Sequence, residues 1–335
     1  MTFIAMPALL LALSSTALRL TVVEQTLHGR HRPPPGVRHV EVPERLIAAI
    51  QALRASPFSH RIEWARAIDS ERTPEDAVTA LKRVHTLDHL RTIQAMSQTG
   101  GGFDTDTYCA PGSWEAMLDG TRAWLHACSV ASSGDGPTLA LTRPAGHHAT
   151  ADTALGFGLV NFAAAAVAAE LAAKPDSYVA ILDWDVHHGN GVADIFKDDA
   201  RVRYCSTHEA GAFPGTGMEE ANRGPAGNLL HLPLPSGAGG DEYLKALREK
   251  ALPFLLEQRP NLFVVCAGYD ALEVDPLATM RLKPHHFGES VKVITEQFHF
   301  PPQKIMLGLE GGYNLCPDEG MPAALVHTCA ALIAE

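Results

Sequence analysis

Short apolar runs alternate with longer stretches of helical periodicity along most of this chain. Mostly apolar runs of five or six residues at 138–142, 178–183, 202–206, 228–232, 262–267 and 304–309 predict strands. Between them, 162–173, 241–258 and 285–298 carry helical spacing, as do 43–55, 74–85 and 114–129 upstream. Strand–helix alternation of this kind implies an α/β fold, with a mostly parallel sheet covered by helices on both faces. Nothing between the segments reads as a linker. Pro33-Pro34-Pro35-Gly36 is the one low-complexity patch, and a single domain is expected.

Polar clusters recur where these strands end. His147-His148 follows the first, Asp185 and His187 the second, Asp270 the fifth and Tyr313 the last, while Ser206-Thr207-His208 is expected to close the third. Open α/β sheets bind ligands outside the carboxyl ends of their strands, so these clusters are expected on one rim.

Composition narrows the class. A hydrophobic content of 46% against 19% charged residues describes a folded globular chain, not a disordered one. The net charge of −11 argues against general nucleic-acid binding and mildly favours a cationic substrate, though ordinary solubility is the plainer explanation. The six cysteines are dispersed with no C-x-x-C pair, which suits small core residues of a reduced compartment and not a thiolate metal site. Residues 1–20 contain no acid, one Arg and an apolar run followed by Ser14-Ser15-Thr16-Ala17. They are open to two readings, an organelle-targeting segment (plastid or mitochondrion) before a domain at 21–335, or a buried first element of a cytoplasmic protein. The run is too short to span a bilayer, and no other segment suggests one.

In Ile181-Leu182-Asp183-Trp184-Asp185-Val186-His187-His188-Gly189-Asn190-Gly191, alternate residues of an extended segment point the same way, so Asp185 and His187 can converge on one ion. Asp270 supplies a third ligand, leaving a position open for water as in catalytic zinc sites. Iron, cobalt and manganese suit the same donors. Amide hydrolysis then needs proton transfer, for which His147 and His148 are suited, and a donor to developing negative charge, for which Tyr313 is placed on a glycine-flanked turn. Asp183 and Asn190 are candidates to hold a histidine nitrogen each. Each feature alone has a plainer reading: a surface His pair, a helix-capping Asp270, a turn at Gly311-Gly312-Tyr313, packed aromatics at Phe157 and Phe213. Their joint occurrence at successive strand ends favours the chemical one.

The sequence resembles the histone deacetylase superfamily, which includes acetylpolyamine amidohydrolases. The likeness rests on Arg143-Pro144-Ala145-Gly146-His147-His148, Gly156-Phe157-Gly158-Leu159-Val160-Asn161, the stretch 183–191, Phe213-Pro214-Gly215-Thr216-Gly217, Ala267-Gly268-Tyr269-Asp270-Ala271 and Glu310-Gly311-Gly312-Tyr313. With Pro43-Glu44-Arg45-Leu46 it runs from about residue 36 to the C-terminus. It implies an arginase–deacetylase α/β fold and one zinc ion per chain on Asp185, His187 and Asp270. It implies His148 as general base and acid, His147 as its electrostatic partner, Tyr313 as oxyanion donor, and Asp183 and Asn190 behind the histidines. Asn190 is the variant of class II and bacterial members. Gly156, Phe157 and Phe213 would line a tunnel for an acyl-lysine stem, whose four methylenes would contribute on the order of 3 kcal/mol. A structural potassium ion is implied near Asp183, Ser206 and the carbonyls of Asp185, His187 and Thr207.

Arginases resemble the same fold but add carboxylates for a second metal. Gly189 and Leu272 stand at those positions here, so one metal is expected. Tyr313 stands where weakly active class II members carry His. Leu277, in Asp275-Pro276-Leu277, occupies the rim position at which polyamine-specific members carry a carboxylate, favouring acetyl-lysine in a protein or peptide over an acetylated small amine. The segment before Glu44-Arg45 departs from the family, leaving the N-terminal rim open, and either Asp104 or Asp106 suits the role of holding substrate backbone. The expected activity is zinc-dependent deacylation of lysine side chains, with acetylpolyamine or other small-amide deacetylation as the alternative. A catalytically silent acyl-lysine reader would have lost a metal ligand or the tyrosine, and neither is lost.

Overall fold

The structure, a computed structural model, describes residues 17–67, 73, 75–220 and 223–334. Ten strands occur among them: β1 (Leu20–Glu24), β2 (Ile62–Arg66), β3 (Gly101–Gly102), β4 (Tyr108–Cys109), β5 (Thr138–Leu141), β6 (Val179–Asp183), β7 (Val202–Glu209), β8 (Leu229–Leu234), β9 (Leu262–Ala267) and β10 (Ile305–Leu309). Eight form one parallel sheet in the order β2-β1-β5-β10-β9-β6-β7-β8, and β3 and β4 make a separate antiparallel pair. Side chains of successive strand residues enter opposite layers, as pleating requires. Ala180 and Leu182 of β6 join the core on one face, and Val179 and Ile181 join the core on the other. Burial on both faces is why the central strands read as unbroken apolar runs.

Helices α1 (Glu44–Ala55), α7 (Gly240–Ala246), α8 (Leu252–Leu256), α9 (Pro284–Lys292) and α10 (Met321–Leu332) cover the first face. The second is covered by α2 (Ala77–Lys82), α3 (Leu87–Thr99), α4 (Ser113–Ser133), α5 (Phe162–Ala173) and α6 (Asn190–Phe196). Close packing fixes a glycine here. A Cβ at Gly308 of β10 would sit 2.0 Å from the Trp124 ring of α4.

The six expected strands and six expected helices are present, with two interruptions. The helix expected over 241–258 is broken by a wide five-residue turn at Leu247–Ala251, where Pro253 has no N–H to continue regular bonding. The one expected over 285–298 ends in a similar turn at Val293–Gln297. The periodicity missed β1 and β2: β2 is an edge strand that mixes Glu63 and Arg66 with apolar residues, which hides its alternation. Leu20 opens β1, and the expected targeting segment lies outside the described residues as far as residue 16.

Beneath the carboxyl ends of the sheet lies a buried ionic knot. The Glu41 carboxylate accepts from Arg143 Nε at 2.7 Å, Arg45 Nη1 at 3.4 Å and the Tyr108 hydroxyl at 2.9 Å, and also from Arg143 Nη2. Arg45 reaches across to donate to the carbonyls of Gly312 and Glu310, which ties α1 to the turn after β10. Burial alone would raise the Glu41 pKa, but the charge and hydrogen bonds of Arg143, with His31 and Arg45, hold it down to about 2. The stabilisation this carboxylate gives is therefore whole above its ordinary value of 4.5 and is lost as pH falls toward 2. Glu41→Ala, which strands two buried guanidinium groups, is expected to cost about 3–5 kcal/mol at pH 7 in urea unfolding, and a loss under about 1 kcal/mol would contradict this account.

Candidate active site

Four neighbouring strands, β5, β10, β9 and β6, deliver the polar clusters to one crevice. The chain leaves β5 and β6 toward the helices of one face, and β9 and β10 toward those of the other. Between diverging exits an open α/β sheet leaves room for a ligand. His147 and His148 come from the turn after β5, Asp185 and His187 from that after β6, Asp270 from that after β9, and Tyr313 from that after β10. Ser206, Thr207 and His208 do not end their strand as expected. β7 continues to pair with β8 as far as Glu209, so all three lie within the sheet, with Ser206 in register beside Asp183.

Asp185, His187 and Asp270 are buried, and their ligand atoms all lie within 4.8 Å of one another. Asp185 Oδ1 and Asp270 Oδ2 each stand 3.1 Å from His187 Nδ1. One ring nitrogen can donate only one proton, so it cannot satisfy both carboxylates. Donor atoms sharing a small cation at about 2.0–2.2 Å are themselves separated by roughly 3–3.5 Å, which these spacings match. Burial and the neighbouring Asp185 push the Asp270 pKa up, as expected where two like charges share a buried site. Backbone N–H groups fix the outer oxygens: Gly311 donates to Asp185 Oδ2 at 2.9 Å and Val186 to Asp270 Oδ1 at 2.9 Å. Glycines make the space. A Cβ at Gly268 would fall 2.1 Å from Asp185 Oδ2, and one at Gly311 the same distance from Asp270 Oδ2. A metal ion fits this cluster.

Room for a second metal's carboxylates is lacking. A Cβ at Gly189 would lie 2.0 Å from Asp183 Oδ2 and 2.4 Å from the Tyr204 hydroxyl, and Leu272 is packed into the core.

The tandem histidines are held differently. His147 Nδ1 lies 3.0 Å from Asp183 Oδ2, whose oxygen also accepts from the Tyr204 hydroxyl at 2.9 Å. His148 Nδ1 faces the Asn190 Oδ1 acceptor at 2.8 Å, which places the proton on Nδ1 and leaves Nε2 as a bare acceptor. Burial would lower the His147 pKa, but Asp185 and Asp183 outweigh it and lift the ring to about 10. Burial, then His147 and His187, push His148 well below the ordinary histidine range.

A pocket of about 400 Å³ opens above the cluster, lined by His147, His148, His187, Tyr313 and the facing rings of Phe157 and Phe213. Tyr313 packs edge-on against Phe157 at 5.6 Å, and among the described residues its hydroxyl has no hydrogen-bond partner. Burial holds its phenol well above the ordinary range, so it is a proton donor at neutral pH. Gly156 lets His148 reach the pocket, because a Cβ there would meet the His148 ring at 2.3 Å and Phe213 at 2.9 Å. Leu277 lies at the mouth, 37% exposed. The two early acids separate clearly. Both are exposed and line the pocket, but Asp104 spends its carboxylate within its own turn, on the N–H groups of Asp106 and Thr107 and the Thr107 hydroxyl. In the segment that the sequence left open, His39 packs on the pocket-lining Phe157 and bonds the Asp106 carbonyl at 3.0 Å.

Sequence reasoning gave no role to Glu310, Asp275 or Tyr204. Glu310 Oε2 accepts from the N–H groups of Gly146 and His147 at 2.6 and 3.2 Å, locking the histidine turn to the tyrosine turn. Burial pushes its pKa up to about 7. The only signal available was its place in Glu310-Gly311-Gly312-Tyr313.

Residues 39–329 match the model of the histone deacetylase domain. An uncharacterized protein of Synechocystis is 37% identical over 285 residues, covering 85% of this chain and 91% of that one. A histone deacetylase-like amidohydrolase of Pseudomonas aeruginosa is 33% identical, covering 85% and 75%. A probable deacetylase of Archaeoglobus fulgidus is 32% identical, covering 91% and 82%. Among solved structures, the crystal structure of the HDA15 HD domain superposes with a TM-score of 0.84 at 29% identity, covering 95% of this chain and 89% of that one. No described helix is long and apolar enough to cross a membrane.

Gly311→Ala tests the cluster directly. Calorimetric titration with zinc is expected to show one strong site in the wild-type chain and at least about a tenfold weaker one in the variant, since its methyl must displace both carboxylates. Equal affinity would show that these oxygens do not share an ion.

Proposed function

The chain belongs to the histone deacetylase family, and from that we propose that it is a zinc-dependent hydrolase that removes acetyl groups from lysine side chains. One observation carries the reading: a buried Asp185–His187–Asp270 cluster at the floor of a narrow pocket that also receives an unpartnered His148 Nε2 and Tyr313 hydroxyl. Asp185, His187 and Asp270 would hold one zinc ion, whose chemistry when bound is to polarise the amide carbonyl and acidify water.

The chain's own groups supply the rest. His148 Nε2 takes a proton from the attacking water and returns it to the leaving amine, while Asn190 keeps the ring in the tautomer that can do so. His147, anchored by Asp183, stands with its ring 4.0 Å from that of His148 and opposes excess positive charge there. The Tyr313 hydroxyl donates to the substrate oxygen as negative charge develops on it. Phe157 and Phe213 enclose an aliphatic stem and exclude water from it. Asp106 meets the substrate backbone at the mouth. Leu277 offers no partner to a second ammonium, which favours acetyl-lysine over acetylated polyamines. A structural potassium ion belongs beside Asp183 and Ser206, which are adjacent in the sheet.

Zinc-loaded protein is expected to cleave an acetyl-lysine peptide faster than acetylated polyamines in a side-by-side panel. A preference for the polyamines transfers the assignment to small-amide deacetylation, and inertness toward both sinks the enzymatic reading. Tyr313→Phe is expected to lower kcat by about 10²–10³. Unchanged turnover in that variant removes Tyr313 from the chemistry.

A further inference from the structure

Asp275 is buried in the turn that follows Asp270, and its carboxylate is held by backbone N–H groups from two different turns. Its Oδ2 accepts from the Tyr313 N–H at 2.7 Å and the Asn314 N–H at 3.3 Å, and its Oδ1 accepts from the Leu277 N–H at 3.1 Å. Asn314 answers by donating from Nδ2 to the Val274 carbonyl at 2.8 Å. One side chain thus joins the turn bearing the pocket-rim Leu277 to the turn bearing Tyr313.

Tyr313 needs such a tether. It follows Gly311-Gly312, and Gly312 has φ +111, a conformation in which the direction of the next residue is set by contacts from elsewhere in the chain: Arg45 on the Gly312 carbonyl and Asp275 on the Tyr313 N–H. Its hydroxyl has no partner among the described residues, and its ring packs edge-on against Phe157 with the Arg45 guanidinium 4.6 Å from its centre. A carboxylate is the group this tether requires. Three N–H donors fall on two acceptor oxygens, and a side-chain amide would turn its own NH₂ against one of them. Burial and the Asp270 charge push the Asp275 pKa up, the three amide bonds pull it back, and the balance lies at about 7.

We propose that Asp275 is a positioning residue for hydrolysis: it fixes the backbone of Tyr313, so that the hydroxyl meets the substrate oxygen, and couples that placement to the rim at Leu277. The proposal rests on Tyr313 being the oxyanion donor, as assigned above. A misplacement of about 1 Å at such a donor costs on the order of 10² in rate. Asp275→Asn is therefore expected to lower kcat about 10–100-fold with KM changed less than about threefold.

The experiment compares the wild type, Asp275→Asn, Tyr313→Phe and the double variant, all zinc-loaded, on acetyl-lysine and trifluoroacetyl-lysine peptides. The electron-poor trifluoroacetyl carbonyl depends less on a hydrogen-bond donor. Asp275→Asn should accordingly lose less on it than on the acetyl peptide, as Tyr313→Phe does, and should add little to Tyr313→Phe in the double variant. Equal losses on both peptides, fully additive losses, or wild-type kcat would overturn the proposal. Should Asp275→Asn not fold, Asp275→Glu is read by the same comparisons, because it keeps both oxygens and shifts them by one methylene. Amide hydrogen exchange reads the tether without turnover. The Tyr313 and Asn314 amides should exchange at least about tenfold faster in Asp275→Asn while those of β9 and β10 do not change. If the wild type cleaves neither peptide, the functional reading fails and exchange alone decides the tether, with unchanged exchange at Tyr313 overturning it.

Discussion

Two buried carboxylates that meet on one imidazole nitrogen set the terms for everything around them. Asp185 and Asp270 both stand 3.1 Å from His187 Nδ1, deep in a site where like charges repel strongly. The fold meets that demand in three ways. It brings the carboxyl ends of β6 and β9 side by side, so that Asp185 and Asp270 approach from adjacent strands. It aims the N–H groups of Val186 and Gly311 at the outer oxygens, and that of His187 at Asp185 Oδ1. It also omits the Cβ at Gly268 and Gly311, where a methyl would overlap the carboxylates. What remains at the common centre is a set of three buried donor atoms that could hold a metal ion.

The groups above the cluster are placed by the same logic of satisfied neighbours and a few free atoms. Asp183 and Asn190 each occupy the Nδ1 side of one histidine, and Glu310 grips the backbone of the histidine turn. Among the described residues, His148 Nε2 and the Tyr313 hydroxyl have no hydrogen-bond partner, and both belong to residues that line the pocket. Preorganisation of this kind spares the site reorganisation when charge develops. Gly156 and Gly189 are part of it, since side chains there would collide with His148 and with Asp183.

Charge is buried below the site on a different principle. Glu41, Arg143 and Arg45 satisfy one another as opposite charges, and the surplus donors of Arg45 grip the carbonyls of the tyrosine turn. Asp275 carries a buried carboxylate held by amide dipoles alone. The tyrosine turn is thus held from both sides, by a guanidinium on its carbonyls and by a carboxylate on its N–H groups. Neither contact comes from a residue near it in sequence.

The sequence by itself determined the parallel α/β class, the six contiguous strands from β5 to β8 in the sheet and the identity of the polar residues that follow four of them. Fully buried strands leave continuous apolar runs, and the spacing of Asp185 and His187 on an extended segment is a local fact. It also determined the family, because the motifs that carry the likeness are themselves local. Only tertiary structure decided the rest. Strand order, which the chain visits as β5, β6, β9 and β10 but arranges as β5-β10-β9-β6, is what makes Asp270 and Asp185 neighbours. Edge strand β2 escaped notice because half of it faces solvent, and the tethers from Glu41, Asp275 and Glu310 did so because each spans either two loops or a long stretch of chain. The choice between Asp104 and Asp106 shows the limit most simply. Two carboxylates two residues apart look alike in sequence, and only the folded turn shows that the first accepts three hydrogen bonds within it.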